Sequence, residues 1–252
     1  MTSPQPLTSR SGAQTLERGF DLLERVVDRP MTVRELVEVS GLGMSTTRRL
    51  VKTLVTCGYL VVERNGSVRA GPRLLHLGAR AQSGVNFVDV AKEHLRKLSE
   101  ATGMPSFLGE RDKDHSVHLY RASGTQRVMV NTPVGTRRRL SETSLGKALL
   151  LDDTEAEWDR LWADATATGA SGWKDEMRQA RARGVVVHIS PAPDHIRAIA
   201  APIRNASKGI VAAISVVSPV QYADDDEIQR LLPLVFDTAR AISHDLGHVP
   251  RK

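Results

Sequence analysis

Two short helical patterns separated by the four-residue break Ser40-Gly41-Leu42-Gly43 constrain this chain more than any other feature it carries. The first pattern opens at Thr32-Val33-Arg34-Glu35, where Thr32 and Glu35 have the Thr-x-x-Glu spacing of a capping box. Val33, Leu36 and Val37 follow at helical spacing and supply its inner face. The second pattern has Ser45 as its expected N-cap, Leu50, Val51, Leu54 and Val55 as its apolar positions, and Gly58 as its stop. Tyr59 to Arg64 then reads as a strand, Asn65-Gly66 as a hairpin signal and Ser67-Val68-Arg69 as the returning strand. Helix, tight turn, helix and hairpin in that order form a winged helix-turn-helix, a layout that presents its second helix to the DNA major groove.

The charge distribution agrees. The 252 residues include 35 Lys and Arg against 29 Asp and Glu, for a formal net charge of +6. Residues 1–80 carry twelve basic and seven acidic side chains, so a surplus of five lies in the segment that contains the motif. A basic segment of this kind attracts phosphates and gains from counterion release. The single cysteine, Cys57, excludes an internal disulfide pair and fits a reducing compartment; it is expected to be a small buried filler, with a redox sensor as the alternative. Met1 to Arg10 lacks the apolar stretch of a signal peptide, and the longest apolar run, Gly209 to Val220, is too short to span a membrane. The expected location is cytoplasmic, with no membrane partner.

Along the chain, residues 1–12 read as a disordered Pro/Ser-rich tail and residues 13–71 as the winged helix-turn-helix domain. That domain begins with a helix from about Thr15, with Phe20, Leu22, Leu23, Val26 and Val27 facing inward and Pro30 ending it. Residues 72–83 read as a helix interrupted at Gly78, and residues 84–247 as a second domain. Within it, helices are expected at Val88–Ala101, Ser144–Asp152, Glu155–Ala167, Lys174–Arg183 and Asp224–Leu246, the last kinked or restarted at Pro233. Strands are expected at Ser106–Glu110, Val117–Arg121, Val128–Thr132, Val185–Ile189, Ile196–Ile203 and Ile210–Val217. Strands mixed with helices imply an α+β domain on a mostly antiparallel sheet.

On the second helix of the motif, Ser45, Thr46, Arg48, Arg49 and Lys52 form the exposed face. Only the N-terminal part of such a helix reaches base edges, so Thr46 and Arg48 are expected near bases, Arg48 clasping a guanine through its planar fork. Arg49 and Lys52 are expected on phosphates, with an ion pair from Arg49 to Glu35 or Glu38 as the alternative. Arg64 and Arg69 of the wing are expected near phosphates or the minor groove.

Gly41-Leu42, Ser45-Thr46, Arg49-Leu50, Thr53-Leu54, Gly58-Tyr59 and Gly71-Pro72-Arg73-Leu74-Leu75 together resemble the IclR family of bacterial transcriptional regulators. The resemblance continues through Thr143-Ser144-Leu145-Gly146-Lys147-Ala148, Arg183-Gly184 and Arg197-Ala198-Ile199-Ala200-Ala201-Pro202, and so covers nearly the whole chain. It implies that 72–83 is a linker helix that helps form a dimer, and that the second domain is effector-binding with a GAF-like sheet. It implies a ligand pocket around the start of the Ser144 helix and the facing strands, with Thr143, Ser144, Leu145, His188, Ala198, Ser215 and Val217 around it. A helix start suits a carboxylate or another oxygen-rich molecule. A histidine there favours an anionic or hydroxylated ligand, the alternative being a surface or core histidine. The chain departs from the family at Val187 to Arg197, where the usual acidic run is missing, and at Arg139, which replaces a common proline.

The resulting expectation is a ligand-responsive regulator, with a repressor of a catabolic or metabolic operon as the leading form. Its partners would be a double-stranded DNA operator, a small organic acid or aromatic effector, and further copies of itself as a homodimer or dimer of dimers. No catalytic residue, cofactor or metal is expected. The enzyme alternative is Ser144-Leu145-Gly146-Lys147, a formal Ser-x-x-Lys; its companion Ser-Asp-Asn and Lys-Thr-Gly elements are absent. Gly146-Lys147 fails as a phosphate loop because Ala148 stands where Ser or Thr is needed. His115 and His118 lack further metal-type partners, Arg137-Arg138-Arg139 reads as a solvated loop, with a second nucleic-acid contact or an acidic-ligand site as the alternatives, and Trp158, Trp162 and Trp173 read as packing residues. A DNA-architectural protein without a sensor is the third alternative.

Overall fold

The computed structural model describes residues 13–125, 132–163, 172–190 and 195–249, and the chain divides into two compact units, Met1–Gly84 and Val85–Lys252. The tail 1–12, most of the expected strand Val128–Thr132 and the end of the expected helix Glu155–Ala167 lie outside the described residues.

The first unit runs α1 (Gln14–Asp28), β1 (Met31–Thr32), α2 (Val33–Ser40), α3 (Met44–Thr56), β2 (Leu60–Val62), β3 (Ser67–Ala70) and α4 (Pro72–Ser83). Its core is Leu22, Leu23, Val26, Met31, Leu36, Leu50, Val51, Leu60 and Val68. The capping box forms: Thr32 Oγ1 accepts from the Glu35 amide at 3.2 Å, and the Thr32 amide donates to Glu35 Oε2 at 2.7 Å. Gly41 ends α2 at φ +67°, a left-handed conformation that glycine adopts at no steric cost. β1, β3 and β2 form a three-stranded antiparallel sheet, Val68 pairing with both Met31 and Val62. At the exit from the wing, a Cβ on Gly71 would sit 2.3 Å from the Gly58 carbonyl oxygen, so only glycine lets these two turns meet.

Several local expectations are corrected. The N-cap of α3 is Gly43; Ser45 lies inside the helix and makes no cap bond, while Thr47 turns its hydroxyl back to the Gly43 carbonyl at 3.2 Å. Phe20 and Val27 are 54% and 55% exposed. The inner stripe of α1 is Gly19, Leu22, Leu23 and Val26. At about 100° per residue Phe20, Val27 and Leu16 fall on its flank. Cys57 is exposed, because it sits where the chain turns out of α3 toward Gly58. Helix α4 passes through Gly78 without a break.

The second unit contains α5 (Phe87–Thr102), β4 (Ser106–Asp112), β5 (His115–Ala122), β6 (Arg137–Arg139), a 3-10 turn (Leu140–Glu142), α6 (Ser144–Leu149), α7 (Glu155–Trp162), α8 (Trp173–Arg183), β7 (Val186–Ile189), β8 (Ile196–Arg204), β9 (Ile210–Pro219) and α9 (Asp225–Asp245). Its six strands form an antiparallel sheet in the order β6-β5-β4-β9-β8-β7. Strand alternation separates two cores. Ile214 and Val216 join Leu95, Leu98, Leu231, Val235 and Ile242 under α5 and α9. Ala213 and Val217 face the opposite side with Leu145, Leu149, Trp158, Trp162 and Met177 of α6, α7 and α8. The three tryptophans are buried, Trp162 and Trp173 stacked at 4.5 Å. Arg137–Arg139, expected as a loop, is an edge strand paired with His115–Val117. Helix α9 continues through Pro233 without a break. Among the described residues, no helix is long and apolar enough to cross a membrane.

Candidate nucleic-acid interface and ligand cavity

The outer face of α3 is basic and is unneutralised among the described residues. Ser45, Arg48, Arg49 and Lys52 are exposed and Thr46 is half-buried. The acids that could have masked this face are committed elsewhere. Glu35 binds Arg29 at 3.0 Å as well as Thr32, and Glu38 lies 3.6 Å from Arg34. The backbone and hydroxyl of Thr32 with the Arg29 guanidinium hold the Glu35 carboxyl down at about 2. The alternative pairing of Arg49 with Glu35 or Glu38 therefore does not occur. On the wing, Arg64 is exposed at the turn, whereas Arg69 is partly neutralised by Glu63 at 3.3 Å.

In the second unit the structure brings Thr143, Ser144, Leu145, His188, Ala198, Ser215 and Val217 around one cavity of about 80 Å³. The sheet supplies its floor: Phe107 of β4 lies opposite Ser215, and Ser215 opposite Ala200. Two glycines make the wall possible. A Cβ on Gly109 would lie 2.6 Å from Leu145 Cδ2, and one on Gly146 would lie 2.4 Å from the Leu140 carbonyl oxygen. Thr143 caps α6 by accepting from the Gly146 amide at 3.0 Å.

His188 faces this cavity and both of its ring nitrogens are engaged. Nε2 lies 3.1 Å from the Glu142 carbonyl oxygen, so it carries the proton, and Nδ1 accepts from Lys147 Nζ at 3.1 Å. Burial, then the adjacent Lys147 ammonium, hold the imidazole down at about 4. Lys147 is itself buried, 3.8 Å from the exposed Glu176, and desolvation lowers its pKa. Its amine is directed to His188 and not to Ser144, so Ser144 and Lys147 are not joined as a nucleophile and base.

Sequence reasoning missed Phe107, His118, Thr132, Ser190 and Ile196 on the same cavity wall, and Arg138, for which an acidic-ligand contact was the alternative to a solvated loop, lines it too. Ile196 was within reach, because it shares a strand face with Ala198 at the two-residue period. His118 was not: it is placed by an edge contact with the Phe107 ring at 5.4 Å and by Nδ1 lying 3.3 Å from the Thr136 carbonyl oxygen. Both are tertiary relations with no sequence signature.

Comparisons with known proteins bear on the family and the fold. Residues 15–64 match the family model described as the IclR helix-turn-helix domain, and residues 79–244 match the bacterial transcriptional regulator IclR C-terminal model. The chain is 28% identical over 253 residues to the HTH-type transcriptional regulator BhcR of Paracoccus denitrificans (strain Pd 1222), covering 96% of this chain and 89% of that protein. It is 26% identical over 255 residues to the acetate operon repressor of Salmonella typhimurium (strain LT2), covering 96% of this chain and 92% of that one. The crystal structure of Pseudomonas aeruginosa HmgR superposes with a TM-score of 0.80 at 22% identity, covering 94% of this chain and all of that chain (100%), a likeness of fold.

Proposed function

This chain belongs to the IclR family of bacterial transcriptional regulators, and from that premise we propose which of its surfaces reads DNA and which receives the signal. The unneutralised basic face of α3 carries the proposal. Thr46 and Arg48 read base edges from the N-terminal half of the helix, Arg49 and Lys52 hold phosphates, and Arg64 with the more weakly available Arg69 contacts the backbone beside the wing. Ser45, exposed in the first turn, donates its hydroxyl to a phosphate.

The cavity around Ser144, His188 and Ser215 is the effector site. The hydroxyls of Thr143, Ser144 and Ser215 line it beside apolar Leu145, Ala198 and Val217, which suits a small organic acid or a hydroxylated metabolite, while His188, neutral and with both ring nitrogens engaged, shapes the wall. Occupancy changes operator affinity through a coupling of about 1–3 kcal/mol, the usual range for such regulators. Repression of a catabolic operon is the favoured mode, in keeping with a relative named for the operon that it represses. The protein acts in the cytoplasm, on double-stranded DNA, without catalytic chemistry.

A single winged head reads one half-site, so a palindrome needs two. Leu16, Phe20 and Val27 on α1 and Leu75 and Leu77 on α4 are exposed apolar residues suited to a second copy. The deciding experiment is fluorescence anisotropy on the promoter DNA upstream of the chain's own gene, at two salt concentrations, with a panel of small organic acids and aromatics. Tight, salt-sensitive binding altered by one compound is the expected result. Weak binding indifferent to sequence and ligand would instead favour an architectural protein.

A further inference from the structure

A groove of about 530 Å³, separate from the cavity above, lies within the second unit along the C-terminal half of α9. It exists because β7 pairs with β8 only as far as Val186 opposite Ala200. Beyond that point the chain leaves the sheet at Gly184, and Ala201 and Pro202 are left as the groove's floor. Gly184, at φ +72°, admits Phe236 as one wall: a Cβ there would stand 2.9 Å from the Phe236 ring.

The polar groups around this apolar floor are mostly basic. Arg204, Arg240, His244 and His248 line the groove with one carboxylate, Asp237. Arg204 is already neutralised by Asp152 at 2.7 Å. Arg240 is not held so closely. Its guanidinium lies 5.7 Å from the Phe236 ring centroid, with Asp237 at 3.7 Å. His248 is turned back into the groove by the end of α9, where Gly247 adopts φ +82° and the His248 amide donates to the Ser243 carbonyl at 2.8 Å. Nδ1 of His248 is shut off from solvent and has no hydrogen-bond partner among the described residues. As the ring stands this nitrogen is closed to the groove as well as to solvent, and a turn of the imidazole about its Cβ–Cγ bond is what would bring it to a ligand there and relieve the cost of leaving it unpaired.

We propose that this groove is a second ligand site, taking an amphipathic monoanion such as an aromatic or branched aliphatic carboxylate. The apolar body packs on Pro202, Ala239 and the Phe236 ring, and the carboxylate takes hydrogen bonds from Arg240 and His248. The volume lies within the usual range for small-molecule sites, about 300–1,000 Å³. The proposal does not depend on the assignment of the first cavity.

The test uses the full chain with 4-fluorobenzoate as probe, followed by fluorine NMR and calorimetry, and with benzylamine as the cationic control. Arg240→Glu and His248→Leu test the groove, and His188→Leu tests the other cavity. Saturable 4-fluorobenzoate binding that Arg240→Glu and His248→Leu each weaken about tenfold or more, and that His188→Leu leaves unchanged, is expected. Benzylamine should not compete. Absence of saturable binding, or binding lost only in His188→Leu, would overturn the proposal. So would sedimentation showing that Arg240→Glu dissociates an oligomer while probe binding is unaltered, since the groove would then be a contact between copies.

Discussion

Arg48 and Lys52 lie one helical turn apart on the same exposed face, yet their expected roles differ because only the first turns of α3 approach base edges. Arg48→Ala should cost roughly 1–3 kcal/mol at one base pair and relax discrimination there. Lys52→Ala should weaken all sequences alike and lower the salt slope by about one unit. Anisotropy on cognate and scrambled duplexes separates the two, and equal losses from Arg48→Ala on both would remove it from base reading. His188 makes a second prediction. Its folded pKa is about 4 against an ordinary 6.5, so below 6.5 the unfolded chain takes up a proton that the folded chain refuses. Its contribution to stability is therefore complete above 6.5 and is lost as pH falls from 6.5 to about 4. Glu35, held at about 2, acts only in a lower window. Urea titrations followed by the fluorescence of the buried tryptophans should show this fall, and His188→Gln should flatten it. His118, lowered in the same direction by burial, leaves a remainder.

At the scale of elements, glycines and one proline decide what can be built. Gly146→Ala places a methyl 2.4 Å from the Leu140 carbonyl oxygen, which must push α6 off the preceding turn. A loss of about 1–3 kcal/mol in the second unit is expected from overpacking, with weaker ligand response because Ser144 and Leu145 move with the helix. Thermal melts and ligand titration check both parts. Pro233 is exposed inside α9 and lacks an amide, so Pro233→Ala should restore one helical hydrogen bond. It should raise stability by roughly 1–3 kcal/mol, read from chemical denaturation. Element types were legible where pattern and punctuation agreed. Thr32 with Glu35 announced α2, and the β-branched run in Ile210–Pro219 announced β9. Arg137–Arg139 was illegible as a strand because three exposed arginines carry no alternation, and pairing with His115–Val117 alone makes it one.

For the whole molecule, the flanking stripe of α1 and the exposed leucines of α4 lead to a test of assembly. Phe20→Glu should shift sedimentation toward the monomer and reduce affinity for a full palindrome much more than for a half-site, leaving the fold intact because Phe20 is half exposed. Unchanged sedimentation would move the interface elsewhere. The amino-acid order sufficed for the helix-turn-helix, its wing, the antiparallel class of the second unit and seven residues that converge on one cavity. Those features rest on local rules of period, capping and turn chemistry, or on residue-by-residue likeness to a family. Tertiary packing alone decided that Phe20, Val27 and Cys57 face outward, that Lys147 is buried against His188, and that β7 stops short of a groove on α9. Each of these depends on which surface a neighbouring element covers, and burial is a relation between distant parts of the chain that no local pattern encodes.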